Sequence, residues 1–418
     1  VALSDPLAAP SRAPAGGHLY IHIPFCRSRC DYCDFYTRCG VSERRQYEVV
    51  EAIARQTDEL LPLLLEEAGP GLSTIYLGGG TPSALTPRAR ARLFTLVREL
   101  GPAGETTLEV NPEDLTPELL EEAVRAGVNR LSLGVQSLDA RALQRIGRKI
   151  DPRAVRSGID LIHQLWKDSA GRRKRWSADI IAAIPQRDRK TLEEDLQVVL
   201  AAGADHLSIY ELTLEPETLL GRDLRRGVFC PSPEEEILAE GAFLDHFLLS
   251  RGFSRYEISN YALPGGESRH NSAYWEMRPY LGVGPGAVGT LLLPSPRRLT
   301  NSRDLALYCG ASPQGLQIEE IAPADHLKDI IMMGFRTARG VSDDLVQARF
   351  GRSLESCIPE TIARWGVDLY REGRPGAQDQ PLEGAFYRLD FRYWTILNTF
   401  LREAFQEIDR TGPFPPWL

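Results

Sequence analysis

Between residues 19 and 212 the chain alternates six times between short apolar, β-branched runs and longer stretches with helical spacing. The strand-like runs cover residues 19–24, 73–77, 106–110, 130–135, 178–184 and 206–212. The helix-like stretches between them cover 41–67, 87–100, 116–126, 139–146 with 152–166, and 191–202, and a further one covers 234–250. Such alternation predicts an α/β fold, a parallel sheet with helices outside. Six repeats make a partial (β/α)6 barrel, short of a full one. Barrels of this kind carry their chemistry on loops after the C-terminal strand ends. The unusual residues of this sequence fall there: Cys26, the turn from Gly78 to Thr81, Glu109, Gln136, Asp179 and Thr213.

The first of these loops reads Cys26-Arg-Ser-Arg-Cys30-Asp-Tyr-Cys33, a C-x3-C-x2-C spacing. Three thiolates on one short loop can hold three irons of a [4Fe–4S] cluster, leaving the fourth iron open to another ligand. Zinc is the alternative, with Cys39 as a fourth donor, but its offset is irregular and no second close pair follows. A disulfide needs an oxidising compartment. Seven cysteines form no paired framework, and Cys39, Cys230, Cys309 and Cys357 read as small core or surface residues. A labile cluster and free thiols place the chain in the cytoplasm.

At 418 residues the chain exceeds one ordinary core. The expected division is a disordered tail at 1–17, the barrel at 18–250, a sheet extension and connecting region at 251–310, and a smaller, mainly helical C-terminal domain at 311–418. The tail is rich in Ala and Pro, without the basic start and apolar core of a signal peptide. No apolar run is long enough to span a bilayer. The net charge of −8 argues against a general nucleic-acid binder, and the basic run from Arg172 to Arg175 reads as a solvated loop.

Several polar residues suit an amino-acid-like ligand near the cysteines. Gly78-Gly-Gly-Thr-Pro82 lets backbone approach closely and adds the Thr81 hydroxyl. Glu109 and Asp179 can accept from an ammonium or ribose hydroxyls, Gln136 can do both, and Arg148 matches a carboxylate. Tyr20 and Tyr32 can pack against a cofactor or serve as core aromatics. Gly284-Pro-Gly-Ala-Val-Gly289 matches a dinucleotide fingerprint but opens no clear helix, so it reads as close backbone packing.

The cysteine loop resembles that of the radical SAM superfamily, and the glycine turn resembles the one that holds the methionine ammonium there. Residues 20–25, 78–82, 108–114, 134–137, 146–148, 179–185 and 206–216 are similar to the oxygen-independent coproporphyrinogen III oxidase branch. True oxidases of that branch carry a further cysteine two residues beyond the third, where this chain has Phe35. His270-Asn-Ser-Ala-Tyr-Trp275 resembles the H-N-x-x-Y-W motif of HemW-type heme chaperones. The resemblance implies S-adenosylmethionine (SAM) at the fourth iron, contacted by Tyr20, Tyr32, Gly79, Gly80, Thr81, Glu109, Gln136, Arg148, Asp179 and Thr213. It also implies heme as a ligand, handed on to client hemoproteins. His270 is the candidate iron ligand, with Tyr274 and Trp275 stacking on the porphyrin; the competing reading is a hydrogen-bonded structural histidine. A homodimer and peripheral contact with a membrane are compatible with it. Two rivals stay open: oxidative decarboxylation of coproporphyrinogen III, and radical chemistry on another substrate.

Overall fold

Strand β1 (Gly17–Ile23) sets the pattern of the structure. Leu19, Ile21 and Ile23 are fully buried on the face that meets the first helix, while His18, Tyr20 and His22 alternate onto the barrel interior. The computed structural model describes residues 16–310, 315–371, 384–411 and 414. Of the tail expected at 1–17, residues 1–15 lie outside the described residues, and Gly17 already pairs with Leu72.

The repeats follow in order. Helix α1 (Glu43–Ala68) starts at Ser42, whose hydroxyl accepts from the Arg45 amide. Then come β2 (Leu72–Gly79), α2 (Pro87–Glu99), β3 (Glu105–Val110) and α3 (Pro117–Arg125), the last capped by Thr116 with proline in its first turn. The series continues through β4 (Arg130–Gln136), α4 (Ala140–Arg145), α5 (Pro152–Leu165), β5 (Arg175–Ala182), α6 (Arg189–Ala201) and β6 (His206–Glu211). Every neighbouring pair from β1 to β6 is parallel. Helices α7 (Leu219–Arg225) and α8 (Glu234–Leu249) close the barrel part.

Short strands extend this sheet at both edges. Strand β8 (Asn260–Ala262) adds antiparallel to β6, and β7 (Ser254–Arg255) adds antiparallel to β8 at the edge. Helix α9 (Arg269–Trp275) follows, and β9 (Tyr280–Val283) returns to lie parallel to β1. Strands β10 (Val288–Leu291), β11 (Arg297–Thr300) and, after α10 (Leu305–Tyr308), β12 (Gln317–Glu320) complete the other edge. The sheet has twelve strands, ordered β12-β11-β10-β9-β1-β2-β3-β4-β5-β6-β8-β7. The glycines from Gly284 to Gly289 form the β9–β10 connection and open no helix. A Cβ on Gly284 would lie 2.3 Å from the His22 carbonyl oxygen, so close backbone passage explains them.

Because β12 belongs to the large sheet, the C-terminal domain begins later than residue 311, at α11 (Pro323–Gly334). It contains β13 (Val341–Ser342), α12 (Asp343–Phe350), α13 (Leu354–Cys357), α14 (Pro359–Trp365), β14 (Asp368–Arg371), β15 (Ala385–Arg388) and α15 (Leu397–Arg410). It is mainly helical around its own core of Phe335, Phe350 and Phe400, with a small antiparallel sheet ordered β13-β15-β14. The Ala338 amide donates to the Tyr256 carbonyl at 3.0 Å, and Arg339 pairs with Glu276 at 3.1 Å, tying the domain to the barrel. No helix among the described residues is long and apolar enough to cross a membrane. One expectation is corrected: Arg175, last of the basic run, is not solvated loop. It opens β5 and pairs with Asp205 at 3.2 Å and Glu105 at 3.4 Å.

Candidate functional site

The chain leaves β1 through Phe25, 2% exposed, which anchors the start of the cysteine loop. The loop is closed at its neck by two backbone bonds, Arg38 N–H to Pro24 O (2.6 Å) and Cys26 N–H to Arg38 O (3.1 Å). A turn from Cys30 O to Cys33 N–H (3.2 Å) brings the second and third cysteines together. The glycine turn after β2 is clamped to the same loop, with Gly80 N–H on Ile23 O (2.8 Å) and Thr81 N–H on Phe25 O (2.7 Å). Thr81 Oγ1 then lies 3.5 Å from Cys26 Sγ, and Arg148 Nη1 donates to Cys30 Sγ at 3.3 Å.

Only glycine fits that turn. Gly79 has φ +111°, and a Cβ there would sit 2.4 Å from the His22 ring. A Cβ on Gly80 would sit 2.6 Å from the Phe25 carbonyl oxygen. Gly79 N–H donates to Glu109 Oε2 (3.0 Å), and the Tyr76 hydroxyl donates to Glu109 Oε1 (2.9 Å). Burial, and then the charge of Asp179, push the Glu109 carboxyl up to about 7. Burial pushes Asp179 up to about 6 against the Ser132 hydroxyl that donates to it at 3.0 Å. Both groups would gain from a cationic ligand.

A second cluster stands beside the first. Arg148 Nη2 donates to Asn111 Oδ1 (2.8 Å), and Asn111 Nδ2 donates to Thr81 Oγ1 (3.1 Å). Arg148 Nε is buried without a hydrogen-bond partner. Strand β4 loses register at Gln136, which takes φ +64°, a conformation rare outside glycine. The bulge turns Gln136 toward its neighbours: a Cβ on Gly134 would lie 3.2 Å from Gln136 Nε2 and 3.3 Å from Asn111 Oδ1. Tyr20 donates to or accepts from His22 Nδ1 at 2.9 Å and faces Tyr76. Tyr32 packs with Ala142, Ile146, Ile181 and Ile184 under the loop. Thr213 stands apart from these contacts: it is exposed, and its hydroxyl donates to Glu211 O.

These residues fit a cluster with an amino-acid ligand. Cys26, Cys30 and Cys33 are free thiols. Burial, and then crowding by Cys33, Cys39 and Cys30, push the Cys26 thiol up to about 12 against a hydrogen bond from Thr81. A cationic iron centre offsets that penalty by binding the thiolates. Among the described residues no group of three or more His, Cys, Asp or Glu is already gathered to hold a metal ion, the three cysteines included. Arg148 with its unpartnered Nε suits a carboxylate, and Glu109 suits an ammonium or a hydroxyl.

The H-N-x-x-Y-W residues lie at the opposite end of the barrel. Ser268 caps α9, and the amides of Arg269 (3.2 Å) and His270 (3.1 Å) donate to Glu105, the first residue of β3. Helix α9 therefore plugs the N-terminal strand ends. His270 is 1% exposed, with Nδ1 on Thr74 Oγ1 (2.7 Å) and Nε2 on the Tyr274 hydroxyl (2.6 Å). Its ring stacks on Tyr76 at 5.0 Å. Burial holds its pKa well below 6.5. Either nitrogen would give up one of these contacts to take an axial bond to iron, and the contacts it makes are those of the structural reading. Tyr274 is committed to the same network, whereas Trp275 faces a cavity.

The Radical SAM superfamily profile matches residues 20–210. The heme chaperone HemW of Bacillus subtilis is 30% identical over 351 residues, covering 82% of this chain and 89% of that protein. The chain belongs to the HemW-type branch of the radical SAM superfamily. The heme chaperone HemW of Mycobacterium tuberculosis is 33% identical over 342 residues, covering 78% of this chain and 84% of that one. Among solved structures, the coproporphyrinogen III oxidase HemN of Escherichia coli superimposes with a TM-score of 0.72 at 18% identity, over 96% of this chain and 92% of that one. That likeness establishes the fold.

In this HemW-type chain Asn111 escapes sequence reasoning, whereas His22 is legible from β1 as a structural or cofactor-adjacent residue and not an iron ligand. Asn111 bridges Thr81 and Arg148, and its signal is an Asn-Pro pair at a strand end, which reads first as a turn. His22 wedges against Gly79 and holds the Tyr20 hydroxyl, and its signal is its place on the interior face of β1.

Proposed function

We propose that this chain binds heme and passes it to hemoproteins, and that it carries a [4Fe–4S] cluster on Cys26, Cys30 and Cys33 with SAM at the open iron. The observation that carries this reading is the likeness, over about four fifths of the chain, to relatives named heme chaperones. Phe35 supports it: this side chain is 70% exposed at the position where the oxidases of the resemblance have a cysteine. When bound, the reduced cluster supplies a single electron at its open iron. The chain's own residues bind and orient. Glu109 accepts from an ammonium or ribose hydroxyl, the glycine turn admits the ligand's backbone-like atoms, and Arg148, fixed by Asn111, pairs with a carboxylate. Cytoplasmic location belongs to the same proposal.

Two assays test it together under anaerobic conditions. Titration with heme should show saturable binding, followed by transfer to an apo-hemoprotein. Incubation with coproporphyrinogen III, SAM and a reductant should yield no protoporphyrinogen IX. Absent heme binding with protoporphyrinogen formation would replace the chaperone by the oxidase.

A further inference from the structure

Arg130 opens β4 on the floor of the barrel interior, and it is 2% exposed. Its Nε is buried without a partner, and the guanidinium makes no hydrogen bond or ion pair among the described residues. Its register partner on β3 is Thr107, fully buried, whose hydroxyl also lacks a partner. Both side chains face inward. Arg130 shares its face of β4 with Ser132, which donates to Asp179, and Thr107 shares its face of β3 with Glu109.

A guanidinium removed from water without a partner is costly, and arginine cannot shed its proton to escape the cost. The carboxylates whose field reaches Arg130 are Glu105 and Asp205, and both are spent elsewhere. Glu105 accepts from the amides of Arg269 and His270 and pairs with Arg175. Asp205 pairs with Arg175 and accepts from the Trp176 amide at 3.1 Å. The unpaired charge is felt by its neighbours: burial, and then Arg130, hold His206 well below its ordinary pKa. Two adjacent strands thus present two donors to the same interior space and no acceptor for either.

The space is closed below and open above. Helix α9 seals the strand starts, with His270 1% exposed. Toward the cysteine end, Tyr76, Glu109 and Asp179 are half-buried and Tyr210, on the same inward face of β6 as Ser208, is 46% exposed. A guanidinium fork beside a hydroxyl matches the two oxygens of a carboxylate. We propose that Arg130 and Thr107 form an anion site at the floor of the barrel, which takes the carboxylate of a ligand entering from the cysteine end. That carboxylate lies four residues of strand below Gly134, beside which Asn111 and Arg148 meet, about 13 Å along β4. A small free carboxylate and the end of a longer one share this chemistry.

The test uses full-length protein purified without oxygen, free of SAM and heme, with formate as the probe at constant ionic strength. The melting temperature should rise saturably with formate, as for any ligand that binds only the folded state. Arg130→Met should remove that response, and its formate-free form should melt above wild type because the unpaired charge is gone. Thr107→Val keeps the shape and should raise the formate Kd about five-fold. Bromide diffused into crystals should give an anomalous-scattering peak within hydrogen-bonding reach of Arg130. Hexanoate binding tighter than formate assigns the site to the end of a longer ligand, and the reverse order assigns it to a small free anion. A wild-type protein without a saturable response, or a response that Arg130→Met retains, overturns the proposal. If Arg130→Met does not fold, an unchanged Kd in Thr107→Val with no bromide at Arg130 overturns it instead. Heme plays no part in this experiment, so its failure leaves the heme-binding reading standing.

Discussion

The two ends of the barrel hold equally conspicuous motifs and treat their polar atoms in opposite ways. At the C-terminal strand ends, Arg148 Nε has no partner and Glu109 is pushed up to about 7. At the N-terminal ends, His270 uses both ring nitrogens, and His206 does the same with Ser177 (2.7 Å) and Tyr256 (2.8 Å). The cysteine end keeps capacity that His270 and His206 have spent, although Arg130 Nε at the start of β4 and Trp275 Nε1 on α9 are also buried without a hydrogen bond among the described residues. The residue types alone do not separate the two cases.

The contrast can be broken at either end. Cys30→Ala has the largest expected effect: iron and labile sulfide in anaerobically reconstituted protein should fall nearly to background. Full iron retention would remove the cysteine loop from the account. Glu109→Gln should weaken SAM binding on the order of ten-fold or more, because a charge-assisted hydrogen bond is lost. Calorimetric titration reads this, and unchanged affinity would mean that Glu109 serves only the glycine turn.

At the other end, His270→Phe should leave heme affinity near wild type but lower stability by roughly 2–4 kcal/mol, since Thr74 and Tyr274 lose a buried partner. Denaturant unfolding measures the second effect. Lost heme binding in a folded variant would return His270 to the ligand set. The pH dependence sharpens the contrast further. Glu109 (about 7) and Asp179 (about 6) bind more protons folded than unfolded above their ordinary range. Their contribution is present below about pH 4 and is lost as pH rises through 6 to 7. Without SAM, Glu109→Gln should flatten that decline by on the order of 2 kcal/mol; an identical slope would contradict the assigned shift. The smallest effect is expected from Ser268→Ala, which removes the α9 cap and should cost about 1 kcal/mol in the same unfolding experiment.

How much of this was legible depended on range. The strands and helices from β1 to β6 follow from local alternation, and the Thr116 cap with Pro117 marks the start of α3. The glycine turn was readable because few side chains allow φ +111°. Strands β7 to β12 were not, being two to four residues long and paired across distance, as when β9 returns to β1. The three-stranded sheet of the C-terminal domain escaped for the same reason. His270 was ambiguous because its burial depends on Glu105, 165 residues earlier in the chain. Thr213 sits at a strand end as the pattern asks, but the structure gives it only a local bond.

Electron paramagnetic resonance of the reduced, anaerobically reconstituted protein, recorded before and after adding SAM, tests most directly whether three cysteines leave one iron open. A [4Fe–4S] signal that changes shape on addition, and does not change in Arg148→Ala combined with Glu109→Gln, is the expected result. A signal indifferent to SAM in the wild-type protein would contradict it.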